Sequence, residues 1–591
     1  MRIIIFVILL FCQAIFGWLS NLPQEAGIDV PEGKLNSLSF APYRENQGPF
    51  DGIFPSVAEV SEDLQLMADK THTIRTYASY EGTMPAIPPL AQKYGLTMIQ
   101  GAWISDDTII NEKEINALIK AANNYPDVVK RVIVGNEALM RGEITADKLI
   151  DYIHQVKQKI KQPVSYADVW SIYMKHPQLI KEVDYITIHI LPYWEDEPIH
   201  AQEAPAHIER IFKLVKKEME SLGVNKPILI GETGWPSMGR QRGWAVPTIV
   251  NEASVVRSLL DVAKRNGFDV NIVEALNQPW KSELEGVVGA NWGLFSKDRK
   301  EVFPLTGKVY EHPQWFKNLS ISLGLVLLIT ALSWQVLKEL SLVRMTIFLV
   351  FAQVLSTLLV NQYEFLWYTS YRDWQRQVTL LIVLLSALLE ALVLRRSLEL
   401  LTERDLKLPA CLAKMQSHNL NQNAYSLIIV FACYAFYQSY LLTFYGRYIS
   451  FPIVPCCIAV VGLLGLLVIT CFVQQRWTLK NIELNRLLGY ENHYAAQNRV
   501  LGYFLAVLII GVIIGEIRGF IFSGDFILAY PDLITRLGMA TFYTFCNLQL
   551  VTWLLCLVIL SLSLLVSDKA SLAKNDWLSR LAYHNFGNGK D

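Results

Sequence analysis

Two glutamates stand in settings suited to acid–base or nucleophilic chemistry. Glu137 ends the run Gly135-Asn136-Glu137, and Glu232 lies in Gly231-Glu232-Thr233-Gly234-Trp235-Pro236; each follows a short aliphatic, β-branched stretch. Two carboxyl groups brought across one cleft supply what cleavage of a glycosidic bond requires: one protonates the leaving oxygen, the other attacks or activates water. A metal or organic cofactor is not expected. The chain has no P-loop, no His-Glu-x-x-His and no Cys/His cluster at ligand spacing.

The glutamates share a cleft only if the elements carrying them converge. Candidate strands lie at 37–42, 73–77, 96–102, 131–134, 163–167, 185–190, 227–230 and 271–275, with amphipathic stretches such as 56–69, 112–124 and 207–222 between them. Eight strands each followed by a helix suit an α/β fold of the (β/α)8 TIM-barrel type. An open doubly wound sheet is the alternative, but no Gly-rich turn follows Pro42. In a barrel, catalytic groups sit at the C-terminal ends of strands. Glu137 follows the fourth strand and Glu232 the seventh, 95 residues apart, or about 32 per βα unit, a spacing typical of barrels.

At these residues the chain resembles glycoside hydrolase family 17, the β-1,3-glucanase-type barrels, in their bacterial form. Asn136-Glu137 resembles the acid/base motif and Glu232-Thr233-Gly234-Trp235-Pro236-Ser237 the nucleophile motif; Arg75, Pro192-Tyr193-Trp194, Trp280-Lys281, Glu285-Gly286 and Trp292-Gly293-Leu294-Phe295 are further matches. The resemblance implies a retaining mechanism through a covalent glycosyl-enzyme, with carboxyl groups roughly 5 Å apart, Glu137 as acid then base, and Glu232 as nucleophile. It also implies that Asn136 bonds a sugar hydroxyl, that Tyr193 holds the nucleophile, and that Arg75, Trp235, Trp280, Lys281, Glu285 and Trp292 contact substrate. Trp103, Trp194, Trp235, Trp280 and Trp292 fall on loops at the catalytic face, where indole rings stack on sugars. Glu274 to Lys281 departs from the plant endoglucanase pattern, so hydrolysis and transfer, and exo and endo action, stay open.

Composition divides the molecule. Charged residues make up 18%, hydrophobic residues 52%, and mean hydropathy is +0.26, which argues against a wholly soluble chain. From about residue 319 onward, seven apolar runs near the ~20 residues needed to cross a bilayer are read at 319–337, 345–360, 378–394, 424–443, 452–473, 500–517 and 543–566. Loops after the first, third and fifth runs, with the tail 567–591, carry fifteen Lys and Arg against five in the alternate loops. The excess predicts a cytoplasmic C-terminus and a barrel, residues 20–318, outside the cytosol of an inner-membrane multi-pass protein. Met1-Arg2 and the apolar run 3–16 fit a signal peptide or signal anchor over 1–19. Glu390, inside the third run, and Glu516, near the end of the sixth, are acids within apolar runs; a polar pathway or an interhelical contact is one reading, and reaching toward an interface near Arg395-Arg396 or a capped helix end is the one expected here. Residues 570–583 are expected to form a short amphipathic helix or a polar tail. With a net charge of −1, nucleic acid is not an expected partner.

The function expected is a membrane-tethered glycoside hydrolase or transglycosylase whose partners are a β-1,3-glucan and the lipid bilayer. The alternative is a glucan-binding sensor or transporter subunit, in which the barrel recognises glucan and the helices respond.

Overall fold

The computed structural model describes residues 1–404, 417–490 and 494–566; the tail 567–591 lies outside the described residues. The chain forms two compact units. One comprises Pro23–Glu311 with 524–526, the other Met1–Leu22 with the remainder of the C-terminal half.

In the first unit eight strands close into a barrel in sequence order: β1 (Leu35–Ser39), β2 (Thr71–Arg75), β3 (Thr97–Ala102), β4 (Val129–Asn136), β5 (Val164–Val169), β6 (Ile186–His189), β7 (Ile228–Thr233) and β8 (Asp269–Ile272). All neighbours are parallel, including β8 against β1. Parallel strands need crossovers, and the helices that supply them bury one stripe each. Helix Ala204–Ser221 buries Ile208, Ile211, Phe212, Val215 and Met219 at steps of three and four. Helix Val57–Ala68 begins at a capping box in which Ser56 and Glu59 satisfy each other's backbone N–H groups.

The barrel interior changes character along its axis. Ile99, Ile133, Ala167, Tyr185 and Leu229 form a small apolar cluster of buried side chains. Elsewhere in the interior it gives way to paired polar groups: Asn271 accepts from Ser37 Oγ at 2.5 Å and donates to Ser39 Oγ at 2.8 Å and to the Gly231 carbonyl at 2.9 Å. Ser165 and Thr187 pair at 2.8 Å. Burying the polar groups named here is tolerable because they pair with one another, and the network fixes the strand ends that carry the site.

The second unit is helical. Among the described residues, eight helices have the length and apolar composition to cross a membrane: Arg2–Ser20, Trp315–Leu337, Leu342–Tyr368, Asp373–Thr402, Asn419–Tyr445, Ile453–Gln474, Ala495–Ile521 and Leu548–Leu565. The run read at 543–566 is interrupted, because Asn547 accepts from the Leu550 N–H and caps a new helix there, after helix Leu533–Cys546. The N-terminal helix joins this unit: Gln13 Nε2 donates to Ser322 Oγ at 3.3 Å and Thr357 Oγ1 at 3.2 Å, and Arg2 donates to the Leu340 carbonyl at 2.9 Å. Of the two readings of Glu390, the structure shows the interhelical contact and not the reach toward the interface. Its side chain does not reach toward Arg395 and Arg396; it is buried in the bundle and accepts from Ser356 Oγ on the neighbouring helix at 3.0 Å. The two arginines pair with Glu399 instead, one turn closer to the helix end.

Candidate active site

The site is assembled at the C-terminal ends of β2, β4, β6 and β7. Glycine determines how the last of these ends. A Cβ on Gly231 would lie 2.4 Å from Thr187 Cγ2 on β6, so only glycine lets β7 approach closely enough to set Glu232 beside His189. At the end of β4 the backbone leaves the sheet: Glu137 has φ 55°, a left-handed conformation costing a non-glycine residue on the order of 1–3 kcal/mol. The Glu137 N–H donates to the Ala167 carbonyl at 2.8 Å, and Arg141 donates to the Asn136 carbonyl at 2.6 Å, which hold the turn in place.

Glu137, His189 and Glu232 come together, with one ligand atom from each lying within 4.8 Å of the other two. His189 is the link. Its Nδ1 lies 2.8 Å from Glu137 Oε1 and its Nε2 3.6 Å from Glu232 Oε1, and its side chain is fully buried. Arg75 rises from β2 inside the barrel, 1% exposed. It donates through Nη1 to Glu232 Oε1 and the Gly231 carbonyl, each at 2.9 Å, and through Nη2 to Asn136 Oδ1 at 2.5 Å. With its Oδ1 taken, Asn136 keeps its amide N–H groups for another acceptor.

The electrostatics favour an ionised Glu232. Burial alone would raise its pKa, but His189, Arg75 and Lys281 together outweigh burial and hold it below the ordinary carboxylate value. Lys281 Nζ pairs with Glu274 Oε2 at 3.0 Å. Burial pushes Glu274 up to about 7, against the pull of that ammonium and with a push from Glu232. Burial likewise raises Glu285, which feels Lys281, Glu137 and Glu232. Arg75 and Lys281 set positive charge directly against Glu232 and Glu274 in this compact site.

Asp168, at the end of β5, is pushed up to about 6 by burial, with Glu137 adding to the shift and the Tyr166 hydroxyl, His189 and the Val169 N–H opposing it. Between about pH 4 and pH 6 the folded barrel therefore keeps a proton that the unfolded chain has released, and stability declines as pH rises through that window. Asp168→Asn is expected to flatten the decline by on the order of 2 kcal/mol. Thermal unfolding of the full chain, followed by tryptophan fluorescence across that pH range, checks it.

Several expected contacts take other forms. The Tyr193 hydroxyl donates its one proton to the Arg240 carbonyl at 2.5 Å and not to Glu232, which Arg75 and His189 flank instead. Trp235 is fully buried, its indole N–H donating to the Val246 carbonyl at 2.9 Å, and offers no face to a sugar. Trp292 is 5% exposed and stacks on Trp194 at 6.4 Å. With Tyr193 these rings build a wall of the cleft. Trp280 is half-buried at the rim, edge-on to Tyr43 and Phe50. Trp103 is half-buried under the Arg141 guanidinium, 4.4 Å away. His189, Asp168 and Glu274 belong to the site without having been singled out from sequence.

The chain is similar to known proteins over the barrel. Residues 37–293 match the BtgE/BtgC glycoside hydrolase domain. A glucan 1,3-beta-glucosidase of Schizosaccharomyces pombe is 28% identical over 249 residues, 40% of this chain and 77% of that protein. Another from Arthroderma benhamiae is 28% identical over 273 residues, 44% of this chain and 88% of that protein. Among solved structures, the glycoside hydrolase family 17 β-1,3-glucanosyltransferase from Rhizomucor miehei is 27% identical, covering 45% of this chain and 95% of its own, with a TM-score of 0.40. The barrel of this chain is accordingly a glycoside hydrolase or transglycosylase domain, similar over residues 37–293 to the BtgE/BtgC group.

Proposed function

We propose that the chain is a membrane-tethered retaining enzyme that cleaves β-1,3-glucan and passes the cleaved glucosyl chain to water or to another sugar. The observation that carries this reading is the carboxyl pair. Oxygen atoms of Glu137 and Glu232 lie within 4.8 Å of each other on either side of His189, a separation that suits double displacement and leaves no room for the water an inverting enzyme would hold between them. The relatives named as glucan 1,3-beta-glucosidases support the linkage.

In this mechanism Glu137 protonates the glycosidic oxygen while Glu232 Oε1 or Oε2 attacks the anomeric carbon; the C–O bond to the leaving sugar breaks as the glycosyl ester forms. Glu137, now a carboxylate, takes the proton of the incoming hydroxyl, and attack at the same carbon releases Glu232. Arg75 fixes the nucleophile's orientation, and the Asn136 amide is available to the sugar's 2-hydroxyl. Water as acceptor gives hydrolysis; a sugar hydroxyl gives a new glycosidic bond.

The test is to incubate the full chain with linear β-1,3-gluco-oligosaccharides and resolve products by mass and anomeric configuration. A β-configured first product supports retention, and products longer than the substrate establish transfer. Unchanged oligosaccharide sinks the enzymatic reading, and an α-configured first product sinks the retaining one.

The eight apolar helices and the excess of Lys and Arg in alternate loops support a polytopic membrane protein with the barrel outside the cytosol. The hydrogen bonds from Arg2 and Gln13 into the helical unit support an N-terminal helix retained as an anchor. A reporter active only outside the cytosol, fused after Lys590, is expected to be silent. Strong signal there would overturn the orientation.

A further inference from the structure

The turn that carries Glu137 out of β4 is held from β5 by two side chains that no sugar can reach. Tyr166 and Asp168 are both fully buried. The turn they face is strained, with φ 87° at Gly135 and 55° at Glu137, and a strained turn persists only where its surroundings fix it.

The fixing is done by hydrogen bonds to successive backbone groups. The Leu139 N–H donates to the Tyr166 hydroxyl oxygen at 2.9 Å, and the Met140 N–H donates to Asp168 Oδ2 at 3.3 Å. Tyr166 passes its own hydroxyl proton to the same Asp168 oxygen, while Asp168 Oδ1 accepts from the Val169 N–H at 2.8 Å. The Tyr166 ring lies against Gly135, where an added Cβ would fall 3.1 Å from Cε2. Tyr173 secures the strand beneath by donating to the Tyr166 carbonyl at 2.6 Å. A phenol that accepts from the turn and donates to a carboxylate is a directional link, and a charged acceptor at its end strengthens it.

Asp168 also brings charge to Glu137. The groups that act on its carboxyl are Tyr166, Glu137, His189 and the Val169 N–H, and Tyr173 feels it in turn. Among the described residues no Lys or Arg pairs with it. The repulsion between the carboxylates of Asp168 and Glu137 is mutual.

Resting on the reading of Glu137 as the acid/base of a retaining enzyme, we propose that Tyr166 and Asp168 are positioning residues for proton transfer: together they lock the turn that aims the Glu137 carboxyl, and the negative charge of Asp168 helps keep the proton on that acid until the leaving oxygen takes it. The two roles are separable. Tyr166→Phe removes the link to Leu139 and keeps the charge. Asp168→Asn removes the charge and leaves one acceptor oxygen where the carboxylate offers two.

The experiment compares full-length wild type, Tyr166→Phe and Asp168→Asn on linear β-1,3-gluco-oligosaccharides and on a dinitrophenyl oligosaccharide. On the first, each variant is expected to lose about tenfold in kcat with KM within about twofold of wild type. On the second, whose leaving group departs without a proton, the burst should stay as fast as in wild type, because Glu232 and Arg75 are untouched. The basic limb of kcat/KM should stay in place in Tyr166→Phe and move to lower pH in Asp168→Asn. A burst slowed as much as oligosaccharide turnover, an unchanged kcat in both variants, or a basic limb unmoved in Asp168→Asn overturns the proposal. Should the wild type turn over neither substrate, the enzymatic reading fails by itself, and amide hydrogen exchange over residues 137–141 decides the lock: faster exchange in both variants upholds it, and unchanged exchange overturns it.

Discussion

Glu232→Gln is expected to lower turnover by at least about 10³-fold while leaving oligosaccharide affinity within a few-fold of wild type. The substitution keeps volume and an acceptor oxygen for the Arg75 Nη1 donor at 2.9 Å, so the cleft survives. In the proposed mechanism, what it removes is the charge that attacks the anomeric carbon. Glu137→Gln should behave differently, because in the proposed mechanism its carboxyl serves the leaving group rather than the bond to enzyme. With a poorly basic leaving group such as dinitrophenolate, which departs without a proton, the Glu137 variant is expected to retain rapid formation of the glycosyl-enzyme, seen as a burst, and to be slow only afterwards. Burst kinetics on dinitrophenyl and ordinary oligosaccharide substrates separate the two roles. A Glu232→Gln enzyme that still shows the burst, or a Glu137→Gln enzyme equally dead on both substrates, would overturn the assignment.

The parts of this site legible in the sequence are those that depend on the repeat of the fold. Glu137 and Glu232 end strands three units apart, and the strand-and-helix alternation alone directs them into one cleft. Arg75 was reached through resemblance; its burial between Glu232 and Asn136 required the closed barrel. His189 was hidden by its surroundings: within Ile186-Thr187-Ile188-His189-Ile190 a single histidine in an apolar run looks like packing. Only the register of β6 against β7, which pairs His189 with Glu232, reveals its position. The orientations of Tyr193 and Trp235 are illegible in sequence for the converse reason. They lie on loops whose direction no periodicity specifies, and the structure turns the Tyr193 hydroxyl to Arg240 and the Trp235 indole to Val246. In the helical unit, hydropathy identified the runs, yet it could not register Asn547 as a cap splitting the last one, because one polar residue hardly alters an average over about 20 positions.

Arg75 is expected to be the costliest single position of the site. Its guanidinium bonds Glu232 directly, and the same group satisfies Gly231 and Asn136. Arg75→Met fills most of the volume but leaves a buried carboxylate and a buried carbonyl without that donor, a loss of about 3–5 kcal/mol for a broken buried pair. If the barrel still folds, activity should fall by about 10²-fold or more as Glu232 and Asn136 lose their fixed orientation. A pH profile separates an electrostatic role from simple scaffolding. Burial raises the pKa of Glu232, and His189, Arg75 and Lys281 lower it; without Arg75 the value must rise, so the acidic limb of kcat/KM should move to higher pH. Arg75→Lys keeps a positive charge but not the planar fork. It should restore the acidic limb toward the wild-type position while recovering only part of the rate, since one ammonium cannot reproduce bonds to Glu232, Gly231 and Asn136 at their observed angles. An acidic limb that stays in place in Arg75→Met would mean that the guanidinium holds the strand ends together without tuning the nucleophile.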